Sequence, residues 1–158
     1  MTAEDVTVSL LEKMQFRVGT GSGHALVIDA SPDVGGAEAG PRPMELQLAA
    51  LAGCSAMDVI SILRKMRQDV TGYEVSAHGE TAPDHPQRYT EVVVIHRVGG
   101  DAIREDGVRR AIELSMTRYC PIYAMLSPGV RIVERYEIRD GAGILAASGE
   151  VAAESASG

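Results

Sequence analysis

Residues 46–63 constrain this chain more than any other stretch. From Leu46 to Leu63 the only polar residues are Gln47, Ser55, Asp58 and Ser61. A helix there is apolar nearly all round and must be covered on every side. Pro43 suits a first helical turn, and Arg64, Lys65 and Arg67 put positive charge where the macrodipole favours it, so the helix is predicted to end near Arg67. Asp58 would cost on the order of 3 kcal/mol in lipid, which argues for a buried helix rather than a membrane span. One small domain offers too little cover for such a helix, and an obligate homodimer is therefore expected.

The chain has 158 residues, the length of one domain. Such a domain buries roughly 70% of the surface its unfolded chain exposes. With no Trp and one Phe, its core must be aliphatic. The formal charge of −7 opposes a phosphate backbone, so nucleic acid is not an expected partner. Met1–Asp5 is acidic where a secretory signal is basic, which makes the cytoplasm the expected compartment.

Period-2 alternation predicts extended structure over residues 4–18 and a hairpin through Gly19–Gly23 into 25–29. A strand, not a helix, follows those glycines, so they read as a turn and not a phosphate loop. A Pro- and Gly-rich loop spans Ser31–Arg42. Residues 73–80 and 89–97 read as a second hairpin. A helical face of Val108, Ala111, Ile112, Ser115 and Tyr119 follows, ending at Cys120. Pro121 opens a short helix to about Leu126, and 130–139 reads as a last strand. Beyond Asp140 the Gly, Ala, Ser and Glu content predicts a mobile tail over 141–158 with no core role. The order predicts a single α+β domain over 1–140.

Cys54 and Cys120 are the only cysteines. Cys54 lies on the apolar helix with Gln47, Ala50, Leu51, Met57, Asp58 and Ser61 on its face. Burial raises a thiol pKa and an ionised Asp58 raises it further, so a reactive Cys54 needs a cation from elsewhere, with Arg17, Arg42 and Arg118 as candidates. Cys120 precedes Pro121 and is placed at an N-cap, facing unpaired N–H groups that favour thiolate. Two buried cysteines acting as small hydrophobes is the plain alternative. His24, His78, His85 and His96 are not spaced as metal ligands, and no metal or cofactor is expected.

The strings Gly40-Pro-Arg-Pro-Met-Glu-Leu-Gln-Leu-Ala-Ala-Leu-Ala-Gly-Cys54-Ser-Ala-Met-Asp58 and Arg118-Tyr-Cys120-Pro-Ile resemble the paired signature of the OsmC/Ohr superfamily, osmotically inducible protein C and organic hydroperoxide resistance proteins. The resemblance covers most of residues 4–139. It implies an OsmC-like fold, with antiparallel sheets around two main helices in an intertwined homodimer whose cysteine pocket lies at the subunit interface. It also implies a thiol-dependent peroxidase in which Cys54 is peroxidatic and Cys120 resolving, with an organic hydroperoxide as substrate and an external dithiol as reductant. The family's peroxidases carry a Glu directly after the helix-starting proline, paired with an early Arg. This chain has Met44 there. Met44 stands about 80° round the helix from Cys54 and Glu45 about 180°, so Glu45 cannot substitute. The resemblance is to the branch with Pro-Met-Glu and Gly-Cys-Ser-Ala motifs, for which a weakly active or non-catalytic dimer binding a small apolar ligand is the alternative.

Overall fold

The structure is a computed structural model that describes residues 4–153. It divides into two compact units, Met1–Gln47 and Leu48–Gly158, where length alone predicts one domain. In the first, β1 (Val6–Glu12), β2 (Gln15–Thr20) and β3 (Ala25–Ile28) form an antiparallel sheet in that order. The run expected to be continuous over 4–18 is itself a hairpin. Lys13 adopts a left-handed φ of 48°, and the chain reverses so that Leu10 pairs with Phe16 and Val8 with Val18. Alternation persists across the reversal, which is why period alone does not reveal it.

The loop after β3 is organised by Asp29, whose carboxylate accepts N–H bonds from Ala30, Ala37 and Ala39 at 2.8, 3.1 and 3.0 Å. These donors, Ala39 foremost, hold its carboxyl below the usual range. Gly40 is required there, because a Cβ would lie 2.1 Å from the Val27 carbonyl oxygen.

The second unit is built on a four-stranded sheet, β4 (Gly72–Thr81), β5 (Tyr89–Gly99), β6 (Arg131–Arg139) and β7 (Leu145–Val151), in that spatial order. The mixed α+β class is as expected, but β5 and β6 pair in parallel, a departure from the all-antiparallel sheets the resemblance implies. The cause is topological: the helical connection between them returns the chain to the end at which β5 began. That connection is α2 (Glu105–Leu114), a π-helical turn (Ser115–Tyr119) and α3 (Pro121–Leu126).

Along β5 every second residue is buried, giving Val92, Val94, His96 and Val98 one inward face. The long helix α1 (Pro43–Lys65) buries Leu51, Ser55, Val59 and Leu63, spaced four apart as one stripe. Val59 and Leu63 pack with Val98, Val108, Ala111, Ile112 and Ile138, while Leu51 packs with Val92 and Val94. Full burial of each such aliphatic side chain is worth about 1.5–3 kcal/mol. α1 ends at Lys65 rather than Arg67, because Arg67 turns left-handed at φ 57° and Gln68 N–H reaches back to the Leu63 carbonyl. By length and composition α1 could cross a membrane. Its apolar stripe, however, is seated on the same chain's sheet, and Ser55 and Asp58 are hydrogen-bonded within the protein.

The expected tail is corrected. Residues 145–151 form β7, paired antiparallel with β6, and Val151 is buried in the core. Composition misleads because β7 has one sheet neighbour and presents mostly exposed small residues. Residues 1–3, in the acidic N-terminus, and 154–158, the end of that tail, lie outside the described residues. Deleting 141–158 is expected to destabilise the protein by at least about 2 kcal/mol, through the loss of Val151 burial and of a whole ladder against β6. Urea unfolding of the truncated chain checks this; an unchanged midpoint would mean the segment is the dispensable tail its composition suggests.

Candidate active site

The two cysteines come together in the second unit. Cys54 and Asp58 stand one turn apart on α1, which puts both side chains on the same face. Cys120 arrives from the other side, where the π-helical turn ends. Its N–H bonds to the Ser115 carbonyl at 2.9 Å, and its Sγ accepts the Tyr123 N–H at 3.3 Å as the N-cap of α3. The Cys54 and Cys120 sulfurs and an Asp58 carboxylate oxygen all lie within 4.8 Å of one another. Both cysteines are free thiols, with Cys54 half-buried and Cys120 only 3% exposed.

The expected cap at Cys120 is present, but its expected consequence is not. Burial, followed by the hydrogen bond to Cys54 and its nearby sulfur, pushes the Cys120 thiol up to about 12, against the opposing N–H groups of Tyr123 and Ile122. A six-residue helix supplies too little positive potential to overcome desolvation. Cys120 is therefore a thiol at neutral pH.

Behind the sulfurs runs a buried polar network that sequence reasoning missed. The Ser115 hydroxyl donates to Asp58 Oδ2 at 2.9 Å and stands 3.4 Å from Ser55 Oγ. Ser55 Oγ is 3.3 Å from His96 Nε2, which is 2.8 Å from Glu134 Oε2. Tyr73 closes the far end, with its hydroxyl 2.6 Å from His96 Nδ1 and its ring stacked on the imidazole. Ser55, Ser115, His96 and Glu134 are each no more than 1% exposed, and Glu134 Oε1 has no hydrogen-bond partner. Burial and the charges of Glu134 and Asp58 push the Tyr73 phenol up, so it stays protonated.

The types Ser, His and Glu suggest a hydrolytic triad, yet Ser55 and Glu134 share one imidazole nitrogen and Ser55 is sealed, so no nucleophile is presented. A sequence signal for the network did exist. His96 holds the inward parity of Val92, Val94 and Val98 in β5, and Glu134 holds that of Tyr136 and Ile138 in β6.

Asp58 also opens into a cleft of about 380 Å³ lined by Ile62, Met66, Leu114 and Tyr119, with Lys65 beside them. Of the candidate cations for Cys54, Arg118 lies over the Tyr119 ring at 5.6 Å and Arg42 pairs with Glu38 at 3.0 Å, while Arg17 sits in β2. Glu45 accepts the Arg42 N–H at 2.8 Å, the reciprocal half of a capping box, so it serves the helix end. Two thiols and a carboxylate are one donor short of a structural zinc set, and among the described residues no histidine joins their cluster.

The profile of the OsmC-like protein family matches residues 35–135. The chain belongs to that family. Protein YhfA of Escherichia coli (strain K12) is 36% identical over 131 residues, covering 83% of this chain and 95% of YhfA. The crystal structure of a hypothetical protein from Aquifex aeolicus VF5 superposes with a TM-score of 0.78 at 28% identity, covering 89% of this chain and 98% of that one. An organic hydroperoxide resistance protein OsmC from Legionella pneumophila shares the OsmC-like fold at a TM-score of 0.65 and 11% identity, covering 87% and 97%.

The Cys120 shift has a pH consequence. Its folded value lies above the ordinary thiol value of 9.0, so the neutral form is favoured by folding. The resulting stability is complete below about pH 8.5 and is lost as pH rises towards about 12. Wild-type unfolding free energy is expected to fall between pH 9 and 11, and to fall less in Cys120→Ala. Parallel curves for the two proteins in urea titrations would refute the shift.

Proposed function

We propose that this protein is a thiol-dependent peroxidase that reduces organic hydroperoxides through Cys54 and Cys120. The observation that carries the proposal is the pairing of a half-buried thiol with a sealed one, their sulfurs within 4.8 Å of each other and of Asp58, which also lines a cleft of mixed polar and apolar residues. In this reading the Cys54 thiolate attacks the outer peroxide oxygen, the S–O bond forms as O–O breaks, and the alkoxide leaves as an alcohol after taking a proton. The resulting sulfenic acid condenses with the Cys120 thiol to a disulfide and water. An external dithiol then restores both thiols by exchange, which suits a reducing compartment, and we place the protein in the cytoplasm. Membership of the family supports the reading, as does the Legionella relative's description as an organic hydroperoxide resistance protein.

The assembly we propose is a homodimer. In the single chain β1 is exposed throughout, including Val6, Val8, Leu10 and Leu11, and Met57 of α1 is 75% exposed. A second copy is the cover such apolar surface calls for. Sedimentation and concentration-dependent unfolding test it; a stable folded monomer at micromolar concentration would overturn the dimer.

A second reading, a weakly active dimer that binds a small apolar ligand, is favoured by one feature. Met44 stands where the peroxidases place Glu. Consumption of cumene hydroperoxide by purified protein with a dithiol separates the two. Turnover lost in Cys54→Ser, faster with cumene hydroperoxide than with hydrogen peroxide and slower than in Glu-bearing peroxidases, is expected. No consumption above the Cys54→Ser background would favour ligand binding.

A further inference from the structure

We propose that Asp58 is the proton carrier of the resolving step and that Ser115, backed by Ser55, His96 and Glu134, positions it. The proposal rests on the dithiol reading above and adds to it a third reacting group, with the residues that aim it.

The chemistry of resolution sets the requirement. When Cys120 attacks the Cys54 sulfenic acid, a sulfur–sulfur bond forms and the sulfur–oxygen bond breaks. The thiol proton must leave Cys120 and a proton must reach the departing hydroxide, giving a disulfide and water with no external reactant. Cys120 is a neutral, buried thiol, and attack by the thiol itself is slow. A base that takes the Cys120 proton and hands it to the leaving oxygen serves both ends of the step.

Asp58 fits by position. It is the carboxylate whose oxygen lies within 4.8 Å of both sulfurs, and among the described residues no other carboxylate or imidazole joins that cluster.

Ser115 links the carrier to the thiol it serves. Its hydroxyl donates to Asp58 Oδ2 while its carbonyl accepts the Cys120 N–H, both at 2.9 Å. The second bond is the five-residue bond of a π turn. An α-helical turn would send the Cys120 N–H to Met116 instead and change the placing of the sulfur. The insertion therefore has a use: it lets one residue hold both reacting groups.

The deeper groups hold Ser115 in turn. Protonated Tyr73 can donate to His96 Nδ1, leaving the Nε2 hydrogen for Glu134 Oε2, with Ser55 Oγ between the imidazole and Ser115. Four such groups are costly to bury unless their bonds are met. Apart from Glu134 Oε1, which has no partner, they are met in one arrangement, which aims the Ser115 hydroxyl at Asp58.

The groups facing Asp58 are Cys54 and Lys65 of its own helix, Ser115, Tyr119 and Cys120 of the segment opposite, and the Tyr73 hydroxyl of β4. Among them Asp58 is the one carboxylate beside both sulfurs.

The test is single-turnover oxidation of the full-length reduced protein with excess hydrogen peroxide, which oxidises an accessible thiol whether or not the protein is an efficient peroxidase. Sulfenic acid at Cys54 is trapped with dimedone and disulfide is followed by mass. In Asp58→Asn, sulfenic acid is expected to form at about the wild-type rate, because the proposal gives Asp58 no part in that step. Disulfide formation is expected to slow by about 10²-fold, the scale of general-base catalysis. Its rate should then rise about tenfold per pH unit from pH 6 to 9, where wild type is nearly level, since hydroxide must replace the carboxylate. Asp58→Glu should restore part of the rate and the level profile, and Ser115→Ala should lower the rate without changing the profile. Disulfide formation at the wild-type rate and profile in Asp58→Asn overturns the proposal, as does equal slowing of both steps. A wild-type protein that forms the disulfide by this route yet never turns over organic hydroperoxide refutes the peroxidase reading and leaves this one standing.

Discussion

The seating of α1 on the inward face of β5 is the constraint on which the site depends. Leu51, Val59 and Leu63 make that contact apolar, and the remaining position of the stripe, Ser55, meets His96. Cys54 is the neighbour of that serine and Asp58 stands three residues beyond it. Whatever orients the stripe therefore also orients the Cys54 thiol and the carboxylate. A one-residue slip would turn each of them by about 100° and empty the network at once.

Burial governs the chemistry of the thiols more than local helix ends do. Cys120 has the cap, the proline and the donating N–H that lower a thiol pKa, and still lies well above its ordinary value. A short helix contributes a few tenths of a kcal/mol to about 1 kcal/mol at its end, whereas desolvation of an anion costs several. The sealed thiol and the half-open one thus differ by environment rather than by sequence motif.

The π turn and the parallel pairing of β5 with β6 have a common origin. The connection from β5 to β6 must cross back over the sheet, and α2 lays Val108, Ala111 and Ile112 into the core as it does so. The chain then has to bring Ser115 and Cys120 to the α1 face within five residues, and the wider turn makes this possible.

Much of this was legible in the residues. Periodicity placed the β4–β5 hairpin, α2 and β6 close to where they lie, and the nearly unbroken apolar run after Pro43 placed α1. The paired motifs around Cys54 and Cys120 pointed to the family. What local pattern could not carry was any decision made by distant partners. Lys13 reverses an alternation that continues unbroken on both sides, and β7 is a strand only because β6 offers it an edge. His96, Glu134, Ser55 and Ser115 read singly as a strand residue, another strand residue and two helix-face serines. They become one network because β5, β6, α1 and the π turn converge, and their bonds run between residues from 38 to 60 positions apart. The sequence by itself determined which segments are apolar, at what period, and which side chains carry reactive atoms. Only the tertiary structure decided which of those atoms share a low-dielectric space, and that sharing sets the state of Cys120 and the partner of Asp58.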